Sequence, residues 1–359
     1  TFIKATDSIE AMKHLIAKLY DADMAYVTDD GIYFSIEKYI ASGKNYGQLL
    51  EITPQNTGEA RIQNDEYDKE SVHDFALWKK QKDGEPAWDF ALGKHNLKGR
   101  PGWHIECSAM SQQELGIPFD IHTGGIDLIF PHHENEIAQS TAVGNNTIMA
   151  NIFAHNNHVL VDGRKMAKSA NNFYTLKDIK DKGYEPLAFR LMILQSHYRS
   201  ESSFSWENIE SAQNRLHSLR SMADTQWQAT DNQQEAPVFT VIKEKLMEYS
   251  QNDLDTPSIL SEISKLTKIV ETNGVTAEGL GDFIEVINTI DSILGLDLAK
   301  QPDITNEQKN LLKQRAVARS NKDWSESDAL REQLQEEGIQ VRDTDHGQIW
   351  SRLPNQVSL

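Results

Sequence analysis

The chain has little cysteine and no long apolar run. Cys107 is the one cysteine among 359 residues, which excludes an internal disulfide framework and indicates a reducing compartment. No segment is long and apolar enough to be predicted to cross a bilayer, and nothing at the start resembles a signal peptide. We therefore expect a cytoplasmic protein without a membrane partner.

Positive charge is also scarce. The 36 lysines and arginines face 54 aspartates and glutamates, so the formal net charge is −18. Because phosphate contacts need cationic side chains, this balance argues against indiscriminate binding of nucleic acid. Local basic strips remain possible in a large acidic chain, and one is predicted near the C-terminal end. Its residues are Lys309, Lys313, Arg315, Arg319 and Lys322.

The residue types of a metal site occur together in the N-terminal half. Pro131 suits the first position of a helix, and Gly144 suits its end. On that helix His132 and Glu136 would lie one turn apart on the same face, with Cys107 upstream. Thiolate, imidazole and carboxylate form a ligand set that zinc accepts. Since a lone cysteine is more often a small buried apolar residue, a structural role and a metal site both remain open.

Three motifs in this order closely resemble the cysteinyl-tRNA synthetases, which are class I aminoacyl-tRNA ligases. The motifs are GWHIECSAM (102–110), FDIHTGGIDLIFPHHENEIAQS (119–140) and KMAKS (165–169). The resemblance implies an α/β fold, in which a partial class I nucleotide-binding (Rossmann-like) catalytic domain precedes an α-helical bundle and a small α+β C-terminal module. It also implies one zinc ion held by Cys107, His132 and Glu136, together with a cysteine from an earlier segment.

Zinc would explain how such an enzyme distinguishes cysteine from serine. A purely apolar pocket rejects a near-isostere poorly. Zinc binds a thiolate far better than a neutral hydroxyl and lowers the pKa of the thiol that it binds. The resemblance further implies that Trp103 lines the pocket for the side chain of the substrate.

Two further segments imply ATP, with Mg²⁺, as a substrate. Gly124, Gly125 and Asp127 follow the predicted strand FDIH at its C-terminal end, where open α/β sheets bind ligands. The resemblance implies that they contact ATP or the adenylate. Lys165 and Lys168 correspond to the catalytic Lys-Met-Ser-Lys-Ser loop of the family, in which Lys168 also binds ATP. Positive charge there stabilises the departing pyrophosphate, and we expect the loop to function although alanine replaces its first serine.

Helical periodicity and the resemblance together predict three domains. Residues 1–204 form the catalytic part with the zinc site and the KMSKS-like loop, and 205–300 form a tRNA-binding bundle of about four helices. Residues 301–359 form a small anticodon-binding module, in which Trp350 is a candidate for stacking on bases. Within the first domain we also expect a hairpin at 26–36 and a loop at 53–71.

The resemblance thus implies a monomeric enzyme that activates cysteine with ATP to cysteinyl-adenylate and transfers it to the 3′ end of tRNA(Cys). The His-x-Gly-His signature of the family does not occur in this sequence, so we expect a fragment, and whether it acts alone stays open. One alternative is a noncatalytic tRNA- or zinc-binding remnant. Another is a paralogue that ligates cysteine to an aminosugar, although such a small acceptor needs no anticodon module.

Overall fold

The computed structural model describes residues 1–49, 74–145, 147–161, 163–166, 172–230, 239–344 and 347–353. The chain divides into two compact units, Thr1–Asn156 and Asn157–Leu359. The loop predicted at 53–71 lies outside the described residues, as does Lys168. Among the residues searched, no helix combines the length and the apolar character needed to span a bilayer.

The first unit combines an antiparallel sheet with a βαβ unit. Its sheet has five strands in the order β1-β2-β3-β5-β4, and β6 pairs in parallel with β7 across α4. In chain order the elements are α1 (Ile9–Asp21), β1 (Ala25–Val27), β2 (Gly31–Phe34), α2 (Ile36–Ala41), β3 (Phe75–Lys80), β4 (Trp88–Leu92), β5 (His95–Pro101), α3 (Trp103–Leu115), β6 (Phe119–Gly125), α4 (Glu134–Thr141) and β7 (Ala150–Asn156).

Local sequence rules account for much of this unit. The predicted hairpin is present as β1 and β2, with Tyr26 opposite Tyr33. Every third or fourth residue of α1 is apolar, so one face of that helix is buried in the core together with Trp78 and Phe34. The apolar residues at 147–154 predict a buried strand, and this prediction is wrong, because Ile152 in β7 is 56% exposed.

The second unit is mainly helical. Strand β8 pairs in parallel with β10 and antiparallel with β9. The elements are β8 (Val159–Val161), β9 (Arg164–Lys165), α5 (Leu176–Asp181), α6 (Pro186–Leu194), β10 (Ser202–Phe204), α7 (Trp206–Ala223), α8 (Phe239–Gln251), α9 (Thr256–Asn273), α10 (Leu280–Leu294), α11 (Asn306–Ser320), α12 (Trp324–Glu336), β11 (Ile339–Thr344) and β12 (Gly347–Arg352).

Helix starts in this unit follow the predicted capping chemistry. Thr175 and Asp178 form a capping box at α5, Pro186 occupies the first turn of α6, and the Ser205 hydroxyl accepts the N–H of Asn208 at the start of α7. The predicted group of four helices, α7 to α10, is confirmed. They share one apolar core that includes Leu216, Ile263 and other buried side chains.

The C-terminal elements α11, α12, β11 and β12 have a core of their own. It contains Ile304, Leu312, Leu334, Ile339, Val341 and Trp350. Because the Trp350 side chain is only 7% exposed, its ring is not available for stacking on bases, and that expectation is wrong. Arg315 is likewise not part of a solvated basic strip, since it is 1% exposed and donates two hydrogen bonds of 2.9 Å to the Asp343 carboxylate.

Candidate metal centre

The three predicted metal ligands lie together between α3 and α4. Cys107, His132 and Glu136 each present one ligand atom, and these atoms lie within 4.8 Å of one another. The register of the two helices is fixed nearby, since the Ser108 hydroxyl donates to the Gln139 side chain at 2.6 Å. One ion could therefore contact all three of the residues that the sequence predicts as ligands.

Helix α4 begins at a different residue from the one predicted. We expected a helix from Pro131, but the regular helix begins at Glu134 and is preceded by a wide, π-type turn over Ile129–His133. Phe130 is extended, with φ −136° and ψ 131°, as proline imposes on the residue before it. The turn still brings Nε2 of His132 to 2.7 Å from Oε1 of Glu136.

The Glu136 carboxylate is the most enclosed group of the centre. Its side chain is 0% exposed, and Nε2 of His122 lies 3.0 Å from its second oxygen. Among the described residues, neither carboxylate oxygen accepts a well-directed hydrogen bond. Burial works in the opposite direction, but the close approach of His122 and His132 lowers the pKa of Glu136 to about 2. A buried anion with unsatisfied oxygens, beside imidazole and thiol, fits a divalent cation.

The Cys107 thiol is protonated at neutral pH in this arrangement. Burial and the negative charges of Glu136 and Glu106 raise its pKa to about 12. A cation bound between these groups would lower the pKa of the Cys107 thiol, because a coordinated thiol is deprotonated. Cys107 is thus a potential ligand rather than a free nucleophile.

A second possible ligand group, which sequence reasoning missed, shares Glu136. It consists of His122, His133 and Glu136, whose ligand atoms also lie within 4.8 Å of one another. Burial and the neighbouring His122 lower the pKa of His133 to about 4. Since a neutral imidazole is the form that binds metal, this ring suits that role. The sequence feature that could have indicated this second group is the predicted strand FDIH, which ends in a histidine shortly before two glycines.

Further ring contacts orient these imidazoles. Nδ1 of His104 lies 2.8 Å from Nδ1 of His132, and Nδ1 of His133 lies 2.7 Å from Nε2 of His155. In each pair, one ring donates and the other accepts, which selects a tautomer for each ring. His132 therefore turns Nε2 toward Glu136 while its other nitrogen is bound by His104.

Trp103 lies at the surface of the candidate centre. Its ring stacks on His132 with the two centroids 4.2 Å apart and an interplanar angle of 28°. Trp103 is 54% exposed. The predicted pocket residue is thus beside a predicted ligand.

Gly124 and Gly125 lie at the carboxyl end of β6, as predicted, and Asp127 lies in the exposed turn that follows. The structure supplies a local reason for the first glycine. A Cβ at Gly124 would lie 2.8 Å from Cε1 of His133, and one at Gly125 would lie 2.5 Å from Oδ1 of Asp127. Because the exposed Asp127 side chain can move aside, close packing accounts for glycine at position 124 and not at position 125.

The Glu134 side chain anchors the start of α4 to residues 47–49. Its buried carboxylate accepts the backbone N–H groups of Gly47 at 2.9 Å, Gln48 at 3.0 Å and Leu49 at 2.5 Å. Gly47 has a φ of 98°, a left-handed conformation that favours glycine. Three successive N–H groups around one carboxylate form a stable anion nest, so the end of the turn that carries His132 is anchored to residues 47–49.

The predicted loop lysines are described only in part. Lys165 lies in β9, where its backbone is opposite Leu160, and its side chain is outside the description. Lys168 lies wholly outside the described residues. Their assignment to ATP therefore rests on the sequence resemblance.

The fold resembles that of a class I aminoacyl-tRNA synthetase. The methionyl-tRNA synthetase of Mycobacterium tuberculosis, solved in complex with methionyl-adenylate, has a TM-score of 0.55 and 15% sequence identity, covering 84% of this chain and 75% of that chain. The family model for the class I (C) tRNA synthetase catalytic domain matches residues 1–214. This chain therefore has the catalytic fold of a class I tRNA synthetase.

Closer relatives identify the family within that class. The cysteine–tRNA ligase of Leptospira interrogans (serovar copenhageni) is 37% identical over 97% of this chain and 76% of its own length, and that of Brachyspira hyodysenteriae is 38% identical over 97% and 76%. The model for the anticodon-binding domain of cysteinyl-tRNA ligases matches residues 301–350. The chain belongs to the cysteine–tRNA ligase family.

Proposed function

We propose that this cysteine–tRNA ligase recognises its amino acid at a zinc centre formed by Cys107, His132 and Glu136. Its family uses ATP, cysteine and tRNA as substrates, and the chain is accordingly an aminoacyl-tRNA ligase. The observation that carries the proposal is the convergence of thiol, imidazole and carboxylate within 4.8 Å around a carboxylate that is 0% exposed. A buried anion needs positive charge beside it, and a bound cation would supply that charge.

The chain's own residues would position the amino acid. Zinc bound at this centre would favour the sulfur of cysteine over the oxygen of serine. Glu136 would balance the charge, and His104 would hold His132 with the correct nitrogen toward the centre. Trp103 stacks on His132 and would cover the substrate side chain, which excludes water from the recognition site.

Amino-acid activation requires ATP beside this centre. We place ATP at Gly124, Gly125 and Asp127, because they lie at the carboxyl end of β6, where α/β sheets bind their ligands. Lys165 and Lys168 would bring positive charge to the phosphates as pyrophosphate leaves. Attack of the cysteine carboxylate on the α-phosphate then gives cysteinyl-adenylate, and the tRNA 3′ end accepts the cysteinyl group with release of AMP.

The wider organisation follows from the same proposal. Residues 1–204 would carry out catalysis, 205–300 would contact tRNA(Cys), and 301–359 would bind its anticodon. We also propose a monomeric, cytoplasmic enzyme. The match of residues 301–350 to an anticodon-binding domain does not favour an aminosugar acceptor.

A cobalt substitution experiment tests the recognition site. The chain loaded with Co²⁺ should show a sulfur-to-cobalt absorption band that changes on addition of cysteine and not of serine. Cys107→Ala should remove the protein-derived band and the bound metal, which metal analysis would confirm. The exposed His14 supplies a matched control, since His14→Ala should leave both unchanged. Full metal content in Cys107→Ala would contradict the proposed centre.

A lysine substitution tests the proposed ATP site separately. Lys168→Ala should lower cysteine-dependent pyrophosphate exchange by about 100-fold, the scale expected for loss of one transition-state charge contact, and should leave the cobalt response to cysteine intact. Lys177, which is exposed and paired with Asp181, is the control: Lys177→Ala should exchange normally. Undiminished exchange in Lys168→Ala would contradict the role of the loop.

A further inference from the structure

The turn between α8 and α9 has an unusual backbone. Asp253 and Leu254 have φ angles of 54° and 56°, a left-handed conformation that is rare for leucine and for two successive residues other than glycine. Leu254 is also 59% exposed, so burial of its side chain does not account for the conformation. Backbone of this kind persists only where surrounding contacts hold it in place.

Three residues of the turn that follows α6 supply such contacts to Asp253. Nδ1 of His197 accepts the N–H of Arg199 at 3.3 Å, so Nε2 carries the proton and donates to the Asp253 carbonyl at 3.0 Å. The Tyr198 hydroxyl donates to Oδ1 of Asp253 at 2.7 Å. The Arg199 guanidinium donates to Oδ2 at 2.6 Å and to Oδ1 at 3.2 Å. We call these four residues the Asp253 cluster.

The Asp253 cluster is more than an ordinary surface ion pair. An exposed pair of charges contributes little unless its geometry is bidentate or several groups form a network. Here the Arg199 guanidinium contacts both carboxylate oxygens, and the Tyr198 hydroxyl adds a third donor. These donors lower the pKa of Asp253 to about 2, so the carboxylate is charged at neutral pH.

The same turn also holds the residues that lead into β8. The N–H of Asn157 donates to the Tyr198 carbonyl at 2.8 Å, and the Asn157 side chain donates to the Arg199 carbonyl at 3.1 Å. The N–H of Ser202 then donates to the His158 carbonyl at 3.1 Å, and β10 continues parallel to β8. Backbone carbonyls of the Asp253 cluster therefore fix the point at which β8 begins.

Strand β8 leads directly to the lysine motif. It has three residues, and β9, which consists of Arg164 and Lys165, pairs antiparallel with it. Strands this short are marginally stable by pairing alone. Val161 at the end of β8 packs with Phe204 in a small apolar core, whereas the start of β8 is held by the turn after α6. The backbone position of Lys165 thus depends on both anchors.

We propose that Asp253 is a positioning residue for amino-acid activation, acting through the Asp253 cluster on β8 and thereby on Lys165 in β9. The inference rests on the proposed function, in which Lys165 and Lys168 bring positive charge to the phosphates of ATP. Electrostatic stabilisation needs charge that is already in place, and a shift of about 1 Å can lower the rate by roughly 100-fold. The Asp253 cluster therefore affects the rate of adenylate formation rather than the binding of cysteine.

Removal of the Asp253 side chain tests this role. Asp253→Gly takes away the carboxylate without opposing the left-handed backbone. We expect kcat for cysteine-dependent pyrophosphate exchange to fall about tenfold, the loss for a shift smaller than 1 Å, and the KM for cysteine to stay within twofold. Hydrogen exchange of the Asn157 and Ser202 amides should become faster, while the amides of α10 should exchange as before.

Asp297 supplies a matched control. It also has a left-handed backbone, with a φ of 58°, and it pairs with one cation, Lys300. Its side chain is 47% exposed, as is that of Asp253. Asp297→Gly should leave kcat, the KM for cysteine and the exchange of the Asn157 amide unchanged.

A double variant separates the Asp253 cluster from general destabilisation. Tyr198→Phe removes the hydroxyl that donates to Asp253 and should lower kcat about threefold, the factor for one hydrogen bond. In the Asp253→Gly background the same change should have almost no further effect, because both residues act through one contact. Losses that multiply in the double variant would instead indicate two independent structural defects and would count against a shared cluster.

Two further results would overturn the inference. One is faster exchange of the Asn157 amide in Asp253→Gly with kcat within twofold of the unsubstituted chain, since the turn would then position nothing that the reaction needs. The other is unchanged exchange of that amide, which would mean that the apolar core alone holds β8. Failure of the proposed function would look different, because the unsubstituted chain itself would then catalyse no pyrophosphate exchange, whatever the Asn157 amide does.

Discussion

Glu136 combines two properties that folded proteins rarely combine, complete burial and a strongly acidic side chain. Its oxygens face His122 at 3.0 Å and His132 at 2.7 Å. The spacing of His132 and Glu136 is local, so sequence alone predicts their contact. The approach of His122 is not local, since it depends on how β6 lies against α4. Local periodicity does not determine that packing, which is why His122 and His133 escaped prediction.

The pH dependence of stability should reveal the state of Glu136 in the metal-free protein. Its folded pKa of about 2 lies below the ordinary 4.5, so its stabilising contribution is complete above pH 4.5 and is lost as the pH falls toward 2. The contribution is at most about 3 kcal/mol. In urea denaturation with a chelator present, wild type and Glu136→Gln should differ most near pH 6, should differ by less than half as much at pH 3 and should converge as the pH falls toward 2.

A matched substitution separates this effect from general acid unfolding. Glu114 is exposed at the end of α3, so Glu114→Gln should follow the wild-type curve at every pH. A constant difference between Glu136→Gln and wild type from pH 6 to pH 3 would contradict a depressed pKa.

Cys107 should titrate far above a normal thiol. Because burial and two nearby carboxylates raise its pKa to about 12, the rate of alkylation by iodoacetamide should still rise with pH beyond pH 10 in the metal-free folded protein. Cys107 is the one cysteine of the chain, so the mass increase reports on it alone. Glu136→Gln removes one of the negative charges and should shift the profile to lower pH, whereas Glu114→Gln should not. A profile that levels off near pH 9 would refute this account.

At the scale of elements, α4 shows what sequence rules determine and where they stop. Gly144, with a φ of 86°, ends the helical region as predicted. The start was misplaced, because the turn over 129–133 and the Glu134 nest depend on residues 47–49, which are distant in sequence. The same contrast holds for α1: the spacing of its apolar residues indicates the buried face, and Asp7 is a candidate cap by residue type, but the helix begins after Ser8.

The end of β6 provides a test of why glycine occurs there. A Cβ at position 124 would lie 2.8 Å from Cε1 and 3.0 Å from Nε2 of His133. Gly124→Ala should therefore displace that ring and destabilise the first unit by ~1–3 kcal/mol in urea denaturation. Gly281 in α10 has nothing within 4 Å of a built Cβ, so Gly281→Ala should instead stabilise by ~0.4–1 kcal/mol. Unchanged stability with weaker ATP binding in Gly124→Ala would favour the nucleotide contact over packing.

At the scale of the whole molecule, each compact unit has its own apolar core among the described residues. One lies in the first unit, with Trp78 and Met12 among its members, and another holds α7 to α10. Helical periodicity predicts the group of helices α7 to α10, whereas the limits of the terminal module were predicted with the help of the family resemblance. The contacts between the helical part and the terminal part are not predicted by any local pattern. One example is the pair of hydrogen bonds between the Gln228 side chain and the backbone of Trp350.

Separate cores imply that stabilisation by a metal should stay within the first unit. The ligands Cys107, His132 and Glu136 lie on α3 and around α4, so an ion bound there stabilises the folded first unit by about 4 kcal/mol when its concentration is a thousand times Kd. Hydrogen exchange measured with zinc and with a chelator should differ strongly for α3 and α4 and hardly at all for α7 to α10. Cys107→Ala should abolish the difference. Equal slowing in both units would mean that they unfold as one cooperative body, and the metal would then stabilise the whole chain.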